Sequence, residues 1–125
     1  MKYLFIAIGG AFGALSRYFI VLFFAKTFST SFPLGTLAVN VTGSFVITLI
    51  VSFFFYSGID PLYRYLFITG FLGAFTTFSS FTFETIQLLK EKLLFLSLLN
   101  IVLNFALSLG AGILGIALGN YLFFK

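Results

Sequence analysis

The segment Gly70-Phe71-Leu72-Gly73-Ala74-Phe75-Thr76-Thr77-Phe78-Ser79-Ser80-Phe81 crowds glycines and hydroxyls into the third of four long apolar runs. Hydrocarbon offers no hydrogen-bond partner at that depth. Irregular backbone survives there only where protein or a water-filled cavity satisfies its freed N–H and C=O groups. The composition therefore predicts a helix break near Gly73 to Phe78, facing the interior of a helical bundle. An unbroken helix that uses its Ser and Thr hydroxyls for back-bonding and packing is compatible with the same composition.

Working outward, the chain divides into runs of approximately Tyr3 to Ala25, Gly35 to Ser57, Leu62 to Thr85 and Leu93 to Phe124. Each is of the order of the roughly 20 residues needed to cross a hydrocarbon core of about 30 Å. Short connections predict antiparallel neighbours in one compact bundle, with residues 1–125 forming a single domain. Pro33 precedes the second run, and Asp60 with Pro61 reads as an N-cap followed by a first-turn proline of the third. The polar stretch Gln87-Leu88-Leu89-Lys90-Glu91-Lys92 reads as a helix end emerging at the interface. The fold class expected is an all-α membrane protein of four transmembrane helices, the third interrupted.

Composition supports this assignment. Of 125 residues 61% are hydrophobic and 8% charged, with a mean hydropathy of +1.18, far from the usage of soluble domains. Lys2 followed by an apolar stretch and small residues resembles a signal peptide, but the run continues through Arg17 to about Ala25, longer than such peptides need. The net charge of +4 comes from basic residues scattered singly at segment ends, so no phosphate-binding face forms and nucleic acid is not an expected partner. Without cysteine or histidine the chain has no thiolate metal site and lacks the commonest catalytic base. Basic residues balance across the bilayer, with Lys2, Arg64 and Lys125 on one side and Lys26, Lys90 and Lys92 on the other. A chain without an orienting bias can insert both ways, which permits an antiparallel dimer with its twofold axis in the membrane plane.

Several polar residues within the runs are candidates for chemistry. Phe78 and Phe81, three residues apart, share a helical face, and the positive edge of an aromatic ring suits a small anion. With 21 phenylalanines in the chain, most must serve packing or lipid, so the pair means little by itself. Thr36, Asn40, Ser44 and Thr48 form a four-residue-spaced stripe on the second run, and Asn100, Asn104 and Ser108 repeat it on the fourth. Such groups serve either as interhelical glue or as the lining of a wet path. Arg17, inside the first run, fits the mouth of an anion path or a structural role reaching headgroups or Glu84. Gly9 with Gly13, Gly10 with Ala14, and Ala111 with Gly115 and Gly119 suit close helix contacts. The first-run glycines lack the strand and lysine of a phosphate loop.

Taken in order, Gly9-Gly10-Ala11-Phe12-Gly13-Ala14 with Arg17-Tyr18, Gly35-Thr36-Leu37-Ala38-Val39-Asn40 with Gly43-Ser44-Phe45, and Gly70 to Phe81 give the chain a specific likeness. Over essentially its whole length it resembles the Fluc/CrcB family of fluoride channels. The resemblance implies an antiparallel, dual-topology homodimer with two pores, passing fluoride passively down its electrochemical gradient and so relieving fluoride toxicity. It implies no enzyme activity and a bacterial-type plasma membrane as the location. By the same analogy Phe78 and Phe81 turn ring edges to the ion and Asn40 donates an amide hydrogen bond. Thr77, Ser80 and Thr82 are the candidate hydroxyls of the third run, Asn104 and Ser108 continue the track on the fourth, and Arg17 stands at the vestibule. A structural sodium ion on the dimer axis is implied at the carbonyls of Gly73 and Thr76, a role that freed carbonyls of discontinuous helices can fill.

The fourth run departs from the family pattern, with Asn100 where tyrosine is common in relatives and Asn104 where serine is common. An alternative reading is a proton-coupled exporter resembling the small four-helix, dual-topology multidrug transporters. Those need a membrane-embedded carboxylate in the first helix, and the carboxylates here are Asp60, Glu84 and Glu91.

Overall fold

A computed structural model describes residues 1–124 of the chain; Lys125, counted above among the basic residues, lies outside the described residues. The order of elements is α1 (Lys2–Thr27), α2 (Leu34–Ser57), α3 (Leu62–Arg64), a π-helical segment (Tyr65–Leu72), α4 (Gly73–Phe75), α5 (Phe78–Lys90) and α6 (Leu94–Phe123). The stretch from α3 to α5 acts as one interrupted span, so four helical spans are long and apolar enough to cross a membrane: Lys2–Thr27, Leu34–Ser57, Leu62–Lys90 and Leu94–Phe123.

The helix ends follow local chemistry. Asp60 Oδ1 accepts from Leu62 N–H at 2.8 Å, the expected cap of the third span. That span ends at Lys90, within the polar stretch read as a helix end, and the buried Leu88 carries the packed face beyond Thr85. There Lys92 adopts a left-handed φ of 62°. Leu93 N–H donates to the Leu88 carbonyl and Lys92 N–H to that of Leu89, a Schellman ending.

Packing is pairwise. α2 lies along α6, and α1 lies along the π segment. Glycine makes both contacts close. A Cβ on Gly13 would strike the Phe71 carbonyl, one on Gly9 the Leu66 carbonyl, and one on Gly115 the Phe45 carbonyl and the Thr48 hydroxyl. These are the small-residue contacts expected of membrane helices. Gly70 meets α1 from the other side: its Cβ would lie 2.8 Å from the Ile6 carbonyl and 3.0 Å from Gly9 Cα. Gly70→Val therefore forces two backbones apart, at a cost of about 1–3 kcal/mol or more. The expected outcome is a lower melting temperature in detergent and a smaller monodisperse fraction on size exclusion.

The interruption falls at Thr76 and Thr77. Thr76 has φ −76° and ψ 153°, and Thr77 has φ −150° and ψ 114°, both extended. The break thus lies within the expected window, and the uninterrupted alternative does not hold. Gly43 is what lets α2 approach it, since a Cβ there would strike the Thr76 methyl and come within 3.1 Å of the Phe75 ring.

Candidate functional site

Breaking a helix frees backbone groups, and Asn40 on α2 binds those of the interruption. Thr77 N–H, which in a continuous helix would be accepted by the Gly73 carbonyl, donates instead to Asn40 Oδ1 at 2.8 Å. Asn40 Nδ2 returns a hydrogen bond to the Thr77 carbonyl at 3.1 Å. Thr77 is also the N-cap of α5, its hydroxyl accepting from Ser80 N–H at 3.1 Å and donating to Ser80 Oγ at 3.1 Å. Both backbone groups of Thr77 thus find a side-chain partner, which freed groups need when they are buried.

Beside the break lies a cavity of about 650 Å³ between α2, α5 and α6. Asn40, Ser44, Thr48, Thr76, Thr77, Asn104 and Ser108 supply its polar wall, and Phe78, Phe81 and Phe105 supply aromatic rings. Phe78 is 69% exposed and Phe81 only 6%. Their ring centroids are 5.2 Å apart, and Phe105 stands edge-on to both, at 6.5 Å from Phe78 and 6.1 Å from Phe81. Phe105 was not singled out by sequence, since one phenylalanine among 21 carries no mark of its place. Ser108 Oγ is buried and has no hydrogen-bond partner among the described residues. A polar guest such as water or an ion is the natural complement to such an atom.

The remaining candidates fall elsewhere. The Thr82 side chain is exposed and its hydroxyl donates to the Phe78 carbonyl at 2.9 Å, so it satisfies itself on its own helix. Ser80 is joined to the cavity through Thr77 without lining it. Arg17 is half-buried on α1 and lines neither this cavity nor a smaller one of about 190 Å³ near Glu84. Glu84 takes Thr36 as its partner, with Thr36 Oγ1 donating to Oε1 at 2.6 Å.

From Asn104 in the cavity wall a network continues to α5, and the parts that Thr85 and Ser97 play in it are not legible in the sequence. Asn100 Nδ2 donates to Thr85 Oγ1 at 2.9 Å, Ser97 Oγ donates to the Thr85 carbonyl at 3.1 Å, and Asn104 Nδ2 donates to Asn100 Oδ1 at 2.8 Å. The spacing of Asn100 and Asn104 exposed the stripe, but its partners on α5 depend on helix register.

The Gly73 and Thr76 carbonyls, where the family resemblance implies a sodium ion, lie at the break itself. Gly73 has lost the N–H of Thr77 to Asn40, and Thr76 precedes the capping residue, so its carbonyl stands outside the α5 ladder. Uncharged, hard oxygen donors at a helix break suit a monovalent cation, and the residues present fit it.

Helices of membrane length around an interrupted third span, with buried polar groups gathered at the interruption, define a multi-pass membrane protein of the type that handles a polar solute within the bilayer. The family model described as "CrcB-like protein, Camphor Resistance (CrcB)" matches residues 4–116, and the chain belongs to this family. Its relatives include a fluoride-specific ion channel FluC of Nitratiruptor sp., 46% identical over 85% of this chain and 82% of the relative. A protein of the same name from Sulfurihydrogenibium sp. is 43% identical over 97% of this chain and 98% of its own length. Another, from Acidobacterium capsulatum, is 42% identical over 95% and 93%.

Proposed function

We propose that the chain is a passive, fluoride-selective channel, and not an enzyme, that lets fluoride leave a bacterial cell down its electrochemical gradient and so relieves fluoride toxicity. The observation that carries the reading is the interruption at Thr76–Thr77 beside a cavity lined by aromatic rings together with amide and hydroxyl groups. The relatives' shared name supplies the ion.

Fluoride is small and strongly hydrated, so a path must replace its water with donors and positive edges. Phe78 and Phe81 offer ring edges, Asn40 an amide, and Thr77, Asn104 and Ser108 further polar groups. α5 begins at Phe78, and the positive end of its helix dipole adds a partial positive charge at the same place. The sites are individually weak, which allows exit.

A second copy completes the path. The cavity lining includes Leu109, Ile113 and Ile116 of α6, all three exposed apolar side chains. An antiparallel homodimer, permitted by the balanced basic residues, gives two pores and a vestibule to which Arg17 draws anions. Gly73 and Thr76 of both copies would hold a sodium ion, whose charge would offset the negative ends of the carbonyl dipoles. The chain acts as one channel domain over residues 1–125.

The test is efflux from liposomes read with a fluoride electrode. Fluoride, but not chloride, should leave under a voltage or concentration gradient with no proton gradient. Release that depends strictly on proton influx would support a coupled exporter instead, although α1 lacks the carboxylate such an exporter uses.

A further inference from the structure

The asparagine chain that runs from the cavity wall to α5 has a fixed polarity, because backbone groups pin both of its ends. At one end Thr77 N–H donates to Asn40 Oδ1 and the Thr77 carbonyl accepts from Asn40 Nδ2, which allows the Asn40 amide a single orientation. At the other end Thr85 Oγ1 donates to the Phe81 carbonyl at 2.7 Å. With its proton so committed, Thr85 Oγ1 accepts from Asn100 Nδ2, and Asn100 Oδ1 is turned toward Asn104. Asn104 Nδ2 then donates to both Asn100 Oδ1, at 2.8 Å, and the Asn100 carbonyl, at 3.0 Å. That leaves Asn104 Oδ1 to accept the second amide proton of Asn40, at 3.0 Å.

A side-chain amide has two protons. Those of Asn40 go to the Thr77 carbonyl and Asn104 Oδ1, and those of Asn104 go to Asn100. An anion at Asn40 therefore finds no free donor. Of the two acceptors, the Thr77 carbonyl belongs to the backbone and cannot leave. Asn104 Oδ1 belongs to a side chain that lines the cavity.

We propose that Asn104 Oδ1 is a resident acceptor which fluoride displaces from the Asn40 amide, with Asn100 as the positioning residue that keeps this oxygen, and not the Asn104 amide nitrogen, turned toward Asn40. The inference rests on the fluoride-channel reading and deepens it by naming what sets the affinity of that step. Binding trades one hydrogen bond for another, so the ion is held weakly enough to leave. A larger and weaker acceptor such as chloride exchanges a good bond for a poorer one. Competition at Asn40 thus contributes to selectivity as well as to rate.

Asn104→Ala removes the competitor and leaves Asn40 one free amide proton. In the liposome assay the half-saturating fluoride concentration should fall about fivefold, the size of one net hydrogen bond, and the maximal rate should fall as exit slows. A half-saturating concentration that rises or stays the same overturns the inference, because Asn104 would then be a donor to the ion or a structural residue only. A second measurement needs no variant to fold. In ¹⁵N-labelled wild-type protein in nanodiscs, the side-chain amide resonances of Asn40 and Asn104 should move together, with one half-saturation, as sodium fluoride replaces sodium chloride. Asn40 moving while Asn104 stays still also overturns it. Wild-type liposomes that release no fluoride would remove the channel reading itself, a result distinct from a conducting wild type whose Asn104→Ala variant shifts the wrong way.

Discussion

Asn40→Asp should abolish fluoride efflux, lowering it at least about a thousandfold. The substitution keeps the size of the side chain and reverses its chemistry. Asn40 Nδ2 donates to the Thr77 carbonyl and to Asn104 Oδ1, and a carboxylate oxygen in its place would set acceptor against acceptor at both contacts. An arriving anion would also meet a like charge. Two unit charges about 4 Å apart repel by about 4 kcal/mol at an effective dielectric constant of 20, about three orders of magnitude in occupancy. Efflux measured on protein that elutes as a single species separates this effect from misfolding. Retained flux would remove Asn40 from the path.

Phe78→Ile should reduce flux at least about tenfold while leaving the fold intact. The ring is 69% exposed, so little burial energy depends on it. What the variant loses is a quadrupole whose positive edge can meet an anion; edge contacts between aromatic pairs contribute about 1 kcal/mol each, and contacts of that order from several rings add. Phe105 stands edge-on to Phe78 with an interplanar angle of 83°, so the three rings form one cluster. An unchanged melting temperature with lost flux is the expected pair of results. Unchanged flux would mean that the ring serves only to cover the site.

The parts of this architecture visible in the sequence are those with local causes. Asp60 as a cap, the four apolar runs and the break between Gly73 and Phe78 are written in composition and short-range chemistry, and each appears in the structure. The π segment is different. Tyr65-Leu66-Phe67-Ile68-Thr69-Gly70-Phe71-Leu72 reads as ordinary apolar helix, and nothing local announces its wider turns. Thr82 shows a related effect, since its hydroxyl bonds its own backbone and its side chain lies outside the cavity. Thr48 lines the cavity yet donates to the carbonyls of Ser44 and Phe45, so even a lining hydroxyl can be committed to its helix. Phe105, Thr85 and Ser97 escaped because their importance lies in what α5 and α6 bring together.

The opposite case is Asn40. Its stripe on α2 left interhelical glue and path lining as alternatives, and the side chain serves the first by binding both backbone groups of Thr77. Lining the cavity as well, it is placed for the second. One amide can do both because the break supplies a donor and an acceptor in the same residue.

Backbone conformation at the break can be read directly by solid-state NMR of the protein in lipid bilayers, from the ¹³Cα and ¹³C′ secondary shifts of residues 73–80. Extended values at Thr76 and Thr77, between helical values at Phe75 and Phe78, together with fluoride-dependent shifts at Thr77, are expected. Helical values running without interruption from Gly73 to Ser80 would contradict the account at its root, because no freed backbone would then remain for Asn40 or an ion to meet.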